Sequence, residues 1–187
     1  MEYLDIVDEN GNPTGETIAR DMAHREGILH RTAHVWVVRR KPGGKLDGSS
    51  YDILLQKRSR DKESFPGMFD TSSAGHIPAG ADFVESALRE LQEELGIKAY
   101  PDQLHYAGMF RIQYEKEFHG RMFRDNEVTR VFVYEEDVDI DSLTLQESEV
   151  EEVRWFGLDE VAEEIKTSRE RFCMPAEGLN KLIRYLG

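Results

Sequence analysis

The segment from Asp82 to Leu95 constrains this chain more than any other. Val84, Ala87, Leu88, Leu91 and Leu95 recur at helical spacing and predict one buried stripe. Glu90, Glu93 and Glu94 stand at i, i+3 and i+4, so the spacing predicts three carboxylates projecting from one patch off that stripe. Like charges so placed oppose a helix by roughly 0.2–0.5 kcal/mol per pair, and something must compensate them. A hard divalent cation does this, since Mg²⁺ takes oxygen ligands from carboxylates, waters and substrate phosphates. A solvated acidic face is the plainer alternative. The turn-rich run Gly75-His76-Ile77-Pro78-Ala79-Gly80-Ala81 precedes the helix, and Gly96 is placed to end it.

Charge narrows the ligands further. Lys and Arg number 24 against 37 Asp and Glu, a net charge of −13, and such a surface repels a nucleic-acid polymer. A phosphate-bearing small molecule would need a metal to meet it. At 187 residues with 39% hydrophobic content, one folded domain spanning 1–187 is expected. The single cysteine, Cys173, excludes an internal disulfide and reads as a small buried hydrophobe. Neither a signal-like start nor a membrane span is visible, so a cytoplasmic protein without membrane partners is the expectation.

Strands are predicted at His34 to Arg40, Tyr51 to Gln56, Leu104 to Gln113, Thr129 to Tyr134 and Glu152 to Phe156. Residues 1–31 form an N-terminal extension with a short strand or hairpin over Asp5 to Gly15, and the Gly-rich 41–50 reads as a mobile loop. Residues 158–187 hold two closing helices, Leu158 to Lys166 and Ala176 to Tyr185. The second carries Leu179, Leu182, Ile183 and Leu186 on one stripe, to cover a sheet or to form a homodimer. Strands and helices without regular alternation predict an α/β fold of the α+β kind, a mixed sheet flanked by helices. Trp36, Phe69, Tyr114 and Phe118 are candidates to stack on a base or to fill the core.

Gly75, Arg89, Glu90, Leu91, Glu93, Glu94, Gly96 and Ile97 resemble, in register, the signature of the Nudix hydrolases, G-x5-E-x7-R-E-U-x-E-E-x-G-U. One position departs: the first glutamate of the pattern falls on Ala81, with Asp82 beside it. The resemblance implies an α/β/α sandwich and a small-molecule diphosphate cleaved by water attack on phosphorus. It further implies Mg²⁺ or Mn²⁺ held by Glu90, Glu93, Glu94 and the carbonyl of Gly75. One of the glutamates would be the base, with Arg89 orienting a glutamate by ion pairing.

A wider resemblance covers most of the chain. Asp5 to Asp8, Gly27 to Arg31, Phe65 to Asp70, Asp125 to Val128 and Glu149 to Trp155 are similar to the isopentenyl-diphosphate isomerase branch of the same superfamily. That branch implies a second, transition-metal site at His24, His30, His76, Asp125 and Glu127, although the two N-terminal histidines are one residue closer than usual. An isomerase is therefore an alternative reading, but the position where that branch carries its cysteine proton donor is Ala74. A methyl group has no proton to give. A non-catalytic ligand-binding domain on the same fold is a second alternative, and it would be expected to lose the carboxylates this chain retains.

Overall fold

Strand β3 (His30–Arg40) is buried from His30 through Val38, and the rest of the molecule is arranged on it. The computed structural model describes residues 1–41 and 50–187, so all but the ends of the predicted 41–50 loop lies outside the described residues. A hairpin of β1 (Tyr3–Val7) and β2 (Pro13–Ala19) leads into the short helix α1 (Arg20–Glu26). There follow β4 (Tyr51–Arg58), β5 (Phe69–Asp70), β6 (Ser73–His76), α2 (Phe83–Leu95), β7 (His105–Phe118), β8 (Arg121–Glu135) and β9 (Val150–Gly157). Helices α3 (Leu158–Thr167) and α4 (Ala176–Leu186) close the chain.

Among the described residues seven strands form one mixed sheet in the order β5-β4-β3-β8-β7, with β6 paired to β3 and β9 to β4. Strands β3 and β8 run parallel in a register that sets His30 opposite Glu127 and Thr32 opposite Thr129. The first half of β3 pairs with β6 and its second half with β4, so the sheet divides along β3 beside Glu94, near the end of the carboxylate helix.

Alternation along the strands divides the interior in two. Val35, Val37 and Leu54 face α2 and meet Ala87, Leu91 and Leu95, while Trp36, Val38, Ile53 and Leu55 face α3 and α4 and meet Val161, Ile165, Leu179 and Leu182. Helices thus cover both faces, the α/β/α sandwich expected. Fully burying a leucine such as Leu91 contributes roughly 1.5–3 kcal/mol, and its truncation would leave a cavity as well. Trp36 and Phe69, two of the four candidates for base stacking, are core residues, whereas Tyr114 and Phe118 line a cleft. Among the described residues no helix is long and apolar enough to cross a membrane.

Helix α2 starts and stops where its sequence signals lie. Asp82 caps it by accepting from the Val84 N–H at 2.8 Å. Gly96 ends it in the left-handed conformation with φ 72°, where an added Cβ would also come within 3.1 Å of the Thr144 backbone.

Candidate active site

A cleft of about 1520 Å³ opens between the α2 glutamates, the histidines of α1, β3 and β6, and the β7–β8 hairpin. The structure gives the three glutamates different environments. Glu93 is exposed and its Oε2 lies 3.4 Å from Arg89 Nη1. Glu90 is partly buried and accepts from Arg89 Nη2 at 2.7 Å. Glu94 is 4% exposed, and its Oε2 accepts from Gln56 Nε2 and from the Ala74 N–H, each at 3.2 Å. The expectation that all three lie off the buried stripe is therefore corrected for Glu94. It follows Leu91 by three residues and Ala87 by seven, which places it on the stripe and turns it into the divided sheet.

Burial dominates the electrostatics of this pair. It raises the Glu90 carboxyl to about 6, against the Arg89 charge, and the Glu94 carboxyl to about 7, with the Glu90 charge adding to the rise. Gly75 is dictated by the same crowding: a Cβ there would sit 2.2 Å from Glu90 Cδ, so only glycine lets β6 pass the carboxylate. Arg89 Nη2 also lies 3.4 Å from the His76 carbonyl, tying the helix to the end of β6.

The residues of the second predicted set converge from four segments. Donor atoms of His24, His30 and His76 lie within 4.8 Å of one another, as do those of His30, Asp125 and Glu127. His24 Nε2 and His76 Nε2 are 3.0 Å apart, His24 Nδ1 is 3.6 Å from Asp125 Oδ1, and Glu127 Oε1 is 3.7 Å from His30 Nε2 and 3.6 Å from His76 Nε2. Two β8 side chains hold the turn that makes this possible: Asn126 Nδ2 donates to the Gly27 carbonyl at 2.9 Å and Arg124 Nη1 to the Arg25 carbonyl at 2.6 Å. Burial lowers His24 to about 4 and His76 well below the usual histidine range, so both rings are neutral and able to act as ligands. Burial works to raise the Glu127 carboxyl, but the rings of His30 and His76 bring it below an ordinary carboxylate, while burial and the Glu127 charge push Asp125 up. Among the described residues His24 Nδ1, His30 Nε2 and Asp125 Oδ1 are buried with no hydrogen-bond partner. Orphaned polar atoms of this kind facing one another are costly unless a cation joins them.

Sequence reasoning missed the other end of the cleft. Arg58 and Asp70 form a buried pair, Arg58 Nη1 donating to Asp70 Oδ2 at 3.0 Å, with His34 and Cys173 beside them. Cys173 is not a core hydrophobe: it is partly exposed, lines the cleft, and its Sγ is 3.5 Å from the Phe69 carbonyl. Burial, with the Asp70 charge adding to it, pushes the thiol well above its usual range, so it stays protonated. These residues lie far apart in sequence and carry no spacing by which to group them.

A model of the NUDIX domain matches residues 29–174. A Nudix hydrolase of Clostridium acetobutylicum, itself uncharacterised, is 38% identical over 161 residues, covering 86% of this chain and 72% of the relative. An isopentenyl-diphosphate Delta-isomerase of Jannaschia sp. is 30% identical over 161 residues, 86% of this chain and 82% of the relative. A Deinococcus radiodurans crystal structure superimposes with a TM-score of 0.69 over 99% of both chains at 18% identity, a likeness of fold.

Proposed function

This chain belongs to the Nudix family and is a hydrolase of phosphoanhydride bonds, and from that premise we propose that it cleaves a diphosphate linked to a second moiety, above all a nucleoside diphosphate derivative, by attack of water on phosphorus with a divalent metal at α2. The observation that carries this reading is Glu90 and Glu94 at the wall of an open cleft, Glu90 packed against the backbone of Gly75 and Glu94 bonded to the Ala74 N–H, both carboxyls raised by burial. An all-oxygen donor set of this kind fits Mg²⁺ or Mn²⁺. Glu90, Glu93, Glu94 and the Gly75 carbonyl would hold the ion, and Arg89 positions Glu90 and Glu93. When bound, the cation neutralises phosphate oxygens and lowers the pKa of bound water. Of Glu90, Glu93 and Glu94, one left off the ion would act as the base that takes the proton from water.

The cluster of His24, His30, His76, Asp125 and Glu127 fits a second, transition metal, since mixed nitrogen and oxygen donors select Mn²⁺, Zn²⁺ or Fe²⁺ over Mg²⁺. This cluster and the 30% identity to an isomerase favour isomerisation as a second reading. Ala74 argues against it, because its N–H is bound to Glu94 and its side chain holds no acid.

The test is to strip the protein with chelator, reload it with Mg²⁺ or Mn²⁺, and incubate it in ¹⁸O-labelled water with nucleotide sugars, dinucleotides, ADP-ribose and prenyl diphosphates. Expected is hydrolysis only after reloading, with label in a phosphate product. Full turnover without metal, or label in no phosphate product, overturns the proposal.

A further inference from the structure

His30, Thr32 and His34 share one face of β3. Thr32 is committed, its Oγ1 lying 3.0 Å from Glu127 Oε2 and 2.8 Å from Thr129 Oγ1. His34 is not. It is 7% exposed, lines the cleft, and its Nδ1 is buried without a partner among the described residues, the ring packing edge-on at 6.0 Å from Phe110. Opposite it on β6 stands Ala74, whose methyl group cannot bond to it. The Ala74 N–H in turn donates to Glu94 Oε2 at 3.2 Å, so His34 stands one strand away from the α2 carboxylates.

The surroundings of His34 are polar. Arg58 has five N–H donors. Among the described residues three are taken, by Asp70 Oδ2 at 3.0 Å, the Ser64 carbonyl at 3.0 Å and Ser64 Oγ at 3.1 Å, which leaves two. Asp70 Oδ1 accepts from the Thr71 N–H at 2.8 Å, which fixes the pair, and the Cys173 thiol closes this wall. Burial keeps the His34 ring neutral against the charges of Asp70 and Glu127, so it offers one donor and one acceptor.

We propose that this inner end of the cleft is the subsite for the moiety attached to the diphosphate, and that it takes a neutral oxygen-bearing group, such as a sugar hydroxyl or a base carbonyl, on His34 in preference to a hydrocarbon chain. The proposal rests on the diphosphate-hydrolase reading above. An alkyl chain here would strip water from His34 and from the spare Arg58 donors without replacing their hydrogen bonds, whereas an oxygen-bearing group restores them. Discrimination of this kind is strong because its source is polar groups left unpaired by the wrong ligand.

Three probes test it in the presence of Mg²⁺: inorganic pyrophosphate, ADP-ribose and geranyl diphosphate, each titrated by calorimetry into the parent and into His34→Phe, His34→Ala and His34→Gln, with product analysis to correct for turnover. The parent is expected to bind ADP-ribose more tightly than geranyl diphosphate. Both His34→Phe and His34→Ala should weaken ADP-ribose by about tenfold or more, while His34→Gln, which keeps a donor and an acceptor, retains most of the affinity. Pyrophosphate should change by less than about twofold. Unchanged ADP-ribose affinity in the first two variants, equal weakening of pyrophosphate, a parent that prefers geranyl diphosphate, or a parent that binds no ADP-ribose each overturns the subsite. The expected binding pattern, with no hydrolysis of these probes or of the nucleotide sugars and dinucleotides tested above, would instead sink the hydrolase reading and leave the subsite standing.

Discussion

Replacing Glu94 by Gln should stabilise the metal-free protein at alkaline pH. The Glu94 carboxyl is raised from 4.5 to about 7 by burial, so the native state holds a proton that the unfolded chain releases. A raised folded-state value contributes stability fully below 4.5 and loses it as pH climbs through about 7. At 1.36 kcal/mol for each pH unit between those two values, ionised Glu94 costs the metal-free fold about 3 kcal/mol at pH 8, and less than about 1 kcal/mol at pH 5. Gln is nearly isosteric, and its carbonyl oxygen can accept from Gln56 Nε2 and the Ala74 N–H as Oε2 does, so charge is removed with little change in hydrogen bonding. For a domain of this size 1 kcal/mol moves Tm by about 2–4 °C, which predicts a variant about 6–12 °C more stable than the parent at pH 8 and nearly equal at pH 5. Thermal melts in chelator at several pH values measure this. Because His24 and His76 also titrate with folding, the quantity to follow is the difference between variant and parent, in which their contribution cancels. Added Mg²⁺ should raise the parent's Tm more than the variant's. An Tm difference that does not grow with pH, or a variant less stable than the parent at pH 8 in chelator, would refute the burial argument.

Glu93→Gln should behave differently, lowering metal-dependent hydrolysis by about 10²-fold or more while leaving Tm nearly unchanged, because an exposed pair with Arg89 contributes little to stability; full turnover in the variant counts against a role for Glu93. The protein should not interconvert isopentenyl and dimethylallyl diphosphate, and isomerisation by the parent at an enzymatic rate would show that a residue other than Ala74 supplies the proton. Purified without chelator, the parent should carry Mn, Zn or Fe by elemental analysis, and His30→Ala and His76→Ala should each lose it; occupancy unchanged in both variants would make these histidines structural.

How far the fold was legible depended on which force set each element. Helices α2, α3 and α4 and the hydrophobic parts of β3, β4 and β8 follow apolar periodicity, which records burial directly. The sequence reading starts β3 at His34, and the structure starts it at His30, because His30, Arg31 and Thr32 are polar yet buried against the cleft and against Asp5. Arg31 Nη2 donates to Asp5 Oδ2 at 2.7 Å, and the Gly80 N–H donates to the same oxygen at 2.9 Å, so the N-terminal hairpin is pinned to the loop before α2. Helix α1 gave no signal: at seven residues it has no full stripe, and β8 contacts hold it in place. Strands β5 and β6 are two and four residues long, below the length at which alternation can be recognised.

The site was legible only where its residues share one helix. His24, His30, His76, Asp125 and Glu127 meet through the parallel register of β3 with β8 and the antiparallel register of β3 with β6, neither of which is encoded in any local spacing; their grouping came from resemblance. Glu94 is the instructive case. At seven residues from Ala87 it lies about 20° from that residue around the helix, so periodicity alone already placed it on the buried stripe. Its chemical type suggested solvent, and position prevailed over type. A carboxylate on an apolar stripe lowers the stability of the metal-free fold, and such a group persists where a bound ligand repays the burial. The residue that most violates the amphipathic pattern of α2 is therefore the one in this helix where the proposed metal would gain most, and the same logic marks His34, a polar ring on the core-facing side of β3 whose Nδ1 has no partner among the described residues.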